Sequence, residues 1–452
     1  MKKIISIFAA ALFASTLAFG ITACNNETAE GDTAPITFNY ERTEAKDGEG
    51  TDFFTLTGVT VSEEAKTFID KNDYEGLANL FNTSKGGYTA PETKYDKDTV
   101  REFVIPAEYE NLPVKEIAAE AIVNQTFIKK LVVGDNVKKI EKGAFSGLTE
   151  LETVELPFVG GEVNAFNSAK SFGYIFGTTS LTGLTGVAQT YNDGASGNSE
   201  TFYIPATLKN VVVTGDNTVA ETELKYDVDE DGKYVFTDDG EYTVTVDDSK
   251  YAVSPYAFYG CSMITSVTLT GSIETIGNYT FYGCTSLKEY IFGDDTATVG
   301  DHAFDGCTSL RNVDFNNVET IGDYAFNGCT SLGKIYETEF NDVTIGAEKI
   351  GEFAFNGCTS LDKVVFTAET LEIGYAAFMG ETSLREIEFG GKTVLKDFAF
   401  AGCTKMQAVD LANVEAIGDS AFYNCTNLKT VRNLKVSYGN AFEKTKFAEE
   451  DL

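Results

Sequence analysis

The chain holds one histidine, His302, so a Ser-His-acid relay or a His-metal centre would rest on that residue alone, and no nucleophile motif accompanies it. His302 stands two residues before Phe304, where comparable positions carry Tyr279, Tyr324, Phe353 and Phe398. Its place reads as an aromatic slot. The 69 acidic side chains supply carboxylate pairs of the glycosidase kind in such numbers that none stands out, and an enzyme is not the expectation. One acidic motif is sharper: Asp227, Asp229 and Asp231 precede Gly232, and Asp238 falls at the twelfth position. That is the oxygen-ligand spacing of a calcium loop. Its flanks, Leu224 to Tyr226 and Tyr234 to Phe236, look like strands and not helices, so a hairpin turn without metal is the competing reading. No other cofactor is implied.

Besides Cys24, seven cysteines (Cys261, Cys284, Cys307, Cys329, Cys358, Cys403 and Cys425) follow the same phrase in the same slot. Seven is odd, and stacked turns set same-slot side chains parallel at about 4.8 Å, a distance that permits a disulfide in a direction that does not. Metal needs ligands that converge, and even spacing along an axis does not converge. The expectation is a buried ladder of free thiols acting as small apolar fillers, with disulfides or metal as the alternatives. The same slot holds Glu381, where an unpaired buried carboxylate would be costly, so that slot is expected to be partly wet.

These slots exist because the sequence repeats. Phe281 to Leu287 reads FYGCTSL, Phe304 to Leu310 FDGCTSL, and Phe326 to Leu332 and Phe355 to Leu361 both FNGCTSL. From Phe258 the leading Phe returns at Phe281, Phe304, Phe326, Phe355, Phe378, Phe400, Phe422 and Phe442, in steps of 23, 23, 22, 29, 23, 22, 22 and 20 residues. A unit of that length cannot bury its own apolar face, so copies must stack into a solenoid with one shared core. A second signature is apolar at positions 1, 4 and 6, as in Val100/Phe103/Ile105, Leu310/Val313/Phe315 and Leu384/Ile387/Phe389, which suits a short strand with alternate side chains turned inward. Leu332/Ile335 fits less well, ending in Glu337. Between strands come an Ile-Gly turn, then Ala-Phe, then Gly-Cys, whose Gly suits a reversing backbone.

The combined pattern, LxxLxL with IGxxAFxGCxxL, resembles the BspA-like class of bacterial leucine-rich repeats over about residues 100 to 447, most closely from 251 to 432. The resemblance implies a leucine-rich repeat solenoid: right-handed, a parallel β-sheet on one face, short strands, turns and helical pieces on the other. It also implies a surface adhesin for host or neighbouring-cell proteins. Twelve turns are expected, with residues 157 to 250 an irregular, insertion-bearing stretch of uncertain register. Residues 36 to 99 mix a strand-like Phe53 to Thr57 with a helical stretch around Ser62 to Phe81, and read as an N-terminal cap for an open solenoid end. Residues 448 to 452 form an acidic tail.

Lys2 and Lys3, an apolar run from Ile4 to Ile21, and Thr22-Ala23 before Cys24 make residues 1 to 23 a secretory signal. The ending is similar to the bacterial lipobox, which would leave Cys24 as an acylated first residue; an ordinary signal peptide with a nearby Cys is the alternative. Residues 24 to 35 are then the acylated Cys and a polar, flexible tether. The expected location is the bacterial cell envelope, lipid-anchored and surface exposed. At a formal charge of -34, nucleic acid and anionic lipid surfaces are poor partners, so contact with membrane is expected only through the anchor.

Positions 2, 3 and 5 of the strands should face solvent. From Leu287 to Arg432 the candidate partner-binding residues are Lys288, Glu289, Arg311, Asn312, Asp314, Lys334, Tyr336, Asp362, Lys363, Arg385, Glu386, Glu388, Gln407, Asp410, Lys429 and Arg432. Seven are basic and six acidic, a nearly neutral ribbon on a strongly acidic chain. Such a ribbon can meet an extracellular protein without strong repulsion. The competing explanation is that parallel rungs mix charge signs simply to avoid like neighbours. Tyr336 is the one aromatic in the set, which favours protein over glycan as ligand. A structural envelope lipoprotein or a glycan-capture module is the other function class. The protein is expected to be a monomer.

Overall fold

The computed structural model describes residues 35–448 except 46–50, 84–94, 163–164, 166, 192–198, 215–226, 229–233, 236–250, 270–272, 291, 293–295 and 334–341. Residues 24–34, Asp229, Asp231, Asp238, Lys334, Tyr336 and the acidic tail from 449 onward therefore lie outside the described residues. The chain divides into two compact units. One comprises residues 1–162, 173–187 and 201–211, the other 163–172, 188–200 and 212–452.

In the first unit, strands Ile36–Thr43 and Phe53–Val61 form an antiparallel hairpin with a register shift at Asn39/Tyr40. Strand Phe53–Val61 then pairs in parallel with Leu112–Ile117. Helix Glu63–Asp70 starts at Ser62, whose hydroxyl accepts the Ala65 N–H at 3.1 Å and satisfies one of the orphan donors of the first turn. Helix Tyr74–Thr83 follows, burying Leu77, Ala78 and Phe81. Strands Glu102–Ile105, Lys130–Val133 and Thr153–Leu156 run parallel and in register, with Phe103, Leu131 and Val154 aligned and fully buried. The period of two in these short apolar runs thus becomes one buried and one outward row.

The second unit stacks the phenylalanine repeats. Phe258, Phe281, Phe304, Phe326, Phe355, Phe378, Phe400 and Phe422 are all fully buried. Each lies nearly parallel to the next, at 5.2, 5.0, 5.1, 5.2, 4.8, 5.2 and 5.7 Å between ring centres. The spacing is that of strands in a sheet, so the coil rise sets the ring distance. The Gly before six of the seven repeat cysteines has positive φ, for example +69° at Gly283 and +75° at Gly306, and so provides the reversal at no Cβ cost, while Asn424 takes the place before Cys425 at +59°.

Two features differ from the sequence expectation. The Ile-Gly segments are strands and not turns. Tyr251–Val253, Ile273–Ile276, Thr298–Val299, Thr320–Ile321, Lys349–Ile350, Thr370–Ile373, Lys392–Leu395 and Val414–Ile417 form one parallel eight-stranded sheet. Strands of two to four residues are too short to show alternation, which is why they read as turns. The Gly that follows admits the neighbouring coil: a Cβ on Gly418 would lie 2.4 Å from the Asp397 nitrogen, and one on Gly374 2.6 Å from the Gly351 carbonyl carbon. The second difference lies in the 29-residue unit. Leu332 keeps position 1, but the strand is Asp342–Ile345, in parallel register with Lys363–Phe366 and through it with Glu386–Phe389. Val343 and Ile345 fill positions 4 and 6, and Ile335 and Glu337, which the sequence pattern placed there, lie outside the described residues.

Candidate interaction face

The inward side chains of the 1-4-6 strands are buried, and this turns positions 2, 3 and 5 outward. Lys288, Glu289, Asn312, Asp314, Arg385, Glu386, Glu388, Gln407, Asp410, Lys429 and Arg432 are exposed, while Arg311 and Lys363 are half-buried. Backbone bridges carry the face from Ser266 to Glu289 and on to Asn312. Strands Ala408–Asp410 and Thr430–Arg432 continue it in the same parallel sense.

Asp362 departs from the expectation that it faces solvent: it is 8% exposed. Its two carboxylate oxygens accept from Nε and an η nitrogen of Arg385 on the next rung, and that guanidinium covers it. A planar fork matches a carboxylate in this bidentate way. Beside it, Lys363 Nζ reaches Glu386 at 3.2 Å and Glu388 at 2.5 Å. The same cross-rung habit pairs Lys129 with Glu152 at 2.6 Å and Lys130 with Glu155 at 2.7 Å in the first unit. Part of the charge mixing therefore serves neighbouring rungs. Lys363 holds the Glu388 carboxyl below its ordinary range through their hydrogen bond. Asp410 is likewise lowered by the amide of Asn433, at 2.9 Å, and by the Ala412 N–H, at 3.0 Å.

All seven cysteines of the repeats are free and buried. The thiols of Cys284, Cys307, Cys329, Cys358 and Cys425 each donate to the carbonyl of a phenylalanine in the preceding unit at 3.1–3.2 Å, and Cys403 does so to Phe378 at 3.5 Å. Burial pushes the Cys284 thiol up to about 12 and the Cys261, Cys307, Cys329, Cys358 and Cys403 thiols upward as well. Glu381, expected to be partly wet, is instead fully buried. Its slot faces the core between two thiol-bearing coils, and the carboxyl takes up the Cys358 N–H in place of water.

His302 occupies the aromatic slot. Its ring stacks between Tyr279 at 4.5 Å and Tyr324 at 4.7 Å, and Nδ1 lies 2.8 Å from Asp305 Oδ2. The column runs from Tyr256 through Tyr279, His302 and Tyr324 to Phe353, with adjacent rings 3–18° from parallel. Each of these residues has φ between +53° and +64°, a region that costs a side-chain-bearing residue about 1–2 kcal/mol. Ring stacking offsets that cost. A second column supports the turns: Oδ1 of Asn278, Asp301, Asp323 and Asp397 each accepts the backbone N–H of the next coil at 2.7–2.9 Å.

Sequence reasoning missed one unit. Where residues 321–326 read Ile-Gly-Asp-Tyr-Ala-Phe, residues 373–378 read IGYAAF, so Tyr375 takes the carboxylate position and Ala376 the aromatic one. Tyr375 is 38% exposed and lines an open cleft of about 470 Å³. Lining up the repeats column by column would have revealed the exchange. For the calcium reading, the backbone of Asp227–Val228 pairs antiparallel with Tyr234–Val235 as a hairpin, and the other proposed ligands lie outside the described residues.

A family model described as the BspA type leucine-rich repeat region matches in six copies, over residues 111–187, 231–344 and 336–449. No curated protein matches the chain. Among solved structures, a leucine-rich repeat protein from Bacteroides ovatus is similar at 18% identity and a TM-score of 0.36, over 92% of this chain and 92% of that one. A leucine-rich repeat protein from Eubacterium ventriosum is similar at 15% identity and a TM-score of 0.34, over 91% of this chain and 94% of that one. A leucine-rich cell surface protein from Faecalibacterium prausnitzii is similar at 16% identity and a TM-score of 0.27, over 94% of this chain and 97% of that one.

Proposed function

Because the chain belongs to the BspA-type leucine-rich repeat family, we propose that it is a cell-surface binding scaffold whose strand face docks a protein of a host or neighbouring cell. The observation that carries this reading is the outward row itself, exposed on successive rungs and nearly neutral in charge on a chain of formal charge -34. An even balance of signs allows a protein surface to approach without strong repulsion, while the acidic remainder favours solubility. The cross-rung pairs around Lys363 and Arg385 hold their own charges in place, so the groups offered to a partner are those flanking them, Lys288, Asn312, Gln407, Lys429 and Arg432 among others. The leader ending at Cys24 supports export and an acyl anchor, to which each buried methylene contributes about 0.8 kcal/mol.

The test is a binding screen of the purified protein against matrix and cell-surface proteins, repeated with the double variant Lys288→Glu, Lys429→Glu. A captured partner that this variant no longer holds supports the reading. Absence of any protein partner, or a partner bound equally by the variant, refutes the strand face as the docking surface.

A further inference from the structure

The unit of residues 373–378 breaks two columns at once, with Tyr375 where neighbouring units carry an acid and Ala376 where they carry a ring. From Tyr256 to Phe353 the outer rings lie flat on one another. At this rung Ala376 supplies no ring, and Tyr375 enters from the neighbouring column, turned 66° from Phe353 and 64° from Phe398, at 5.3 and 5.7 Å between ring centres. Tyr375 is 38% exposed, so part of its ring meets solvent. The acid that caps the next coil at Asp301 and Asp323 is missing here too, so Tyr375 does not perform that column's structural task.

The ring borders a cleft of about 470 Å³, which is in the range of small-ligand sites. Around it stand Lys349 and Lys396 as donors, and Asp323, Glu352, Glu372 and Asp397 as acceptors. Lys396 Nζ is 3.5 Å from Glu372, close enough to hold that pair in position, while Lys349 has no ion pair among the described residues. A cationic ligand would meet two ammonium groups and an anionic one four carboxylates. A neutral polyhydroxylated ligand finds donors and acceptors together, and the C–H face of a pyranose matches an exposed phenol ring.

We propose that the cleft beside Tyr375 is a saccharide-binding site that takes one or two pyranose rings of a neutral glycan. The site is separate from the strand face and does not depend on protein docking there.

The experiment is saturation-transfer NMR on the purified protein with lactose, maltose, cellobiose and chitobiose, followed by titration of whichever binds. Tyr375→Ala is expected to weaken binding by about tenfold or more without moving the melting temperature, and Tyr375→Phe to preserve it, since the ring and not the hydroxyl is the platform. Glu372→Ala and Lys396→Ala should each weaken it as well. The double variant Lys288→Glu, Lys429→Glu should bind sugar normally, which separates this site from the strand face. Failure of all four sugars to bind, equal binding by Tyr375→Ala, or a cleft that binds lysine- or arginine-rich peptide in place of sugar would overturn the proposal.

Discussion

Glu381 Oε1 accepts the backbone N–H of Cys358 at 2.7 Å, while the other oxygen, Oε2, is buried with no partner. A carboxyl in that state is easier to keep neutral than charged, and burial pushes it well above the usual carboxylate range. The folded protein therefore holds a proton there that the unfolded chain releases near about pH 4.3. Below that pH both states are protonated and the contribution to stability is fully present. As pH rises toward the raised folded value, the unfolded state alone gains from ionising, and stability falls. Glu381→Gln keeps the acceptor and removes the titration. The gap between the melting temperatures of variant and parent should widen from pH 4 to pH 8, in the variant's favour. Parallel curves would show that Glu381 titrates normally in the fold.

The phenylalanine column predicts a second outcome. Phe326 is fully buried and stacked at 5.1 Å on Phe304 and 5.2 Å on Phe355. Phe326→Ala should cost about 3–5 kcal/mol in denaturant unfolding, because the cavity opens between two rungs that cannot close on each other. An unchanged midpoint would contradict its burial.

Thiol chemistry gives a third. Thiolate is the reactive form, and burial both shields the seven repeat cysteines and raises the pKa of six of them. Ellman's reagent at about pH 8 should leave them unmodified in the native protein and label all seven in denaturant. Rapid native labelling at any of them would show that the column opens to solvent.

The anchor gives a fourth. If Cys24 carries the acyl chains, Cys24→Ala should move the protein from the membrane fraction to the soluble fraction of fractionated cells. Retention of the variant on membranes would refute acylation there.

Much of this was written in the residue order alone. The 22- and 23-residue steps of Phe fix a stacked architecture, since equal units that cannot bury their own apolar side have no other stable arrangement. The cysteine ladder, the aromatic slot of His302 and the inward positions 1, 4 and 6 follow from the same period. What the period cannot express is interaction between coils. Only the tertiary structure turns the Ile-Gly segments into a second sheet, because strands of two residues exist through their neighbours' hydrogen bonds and not through their own pattern. Only it moves the strand of the long unit to Asp342–Ile345, covers Asp362 with Arg385 from the next rung, and dries the slot of Glu381. The orientation of Tyr375 belongs to the same class. A ring turned across its column is a relation among residues 353, 375 and 398, more than twenty positions apart from rung to rung, and sequence-local chemistry carries no record of it.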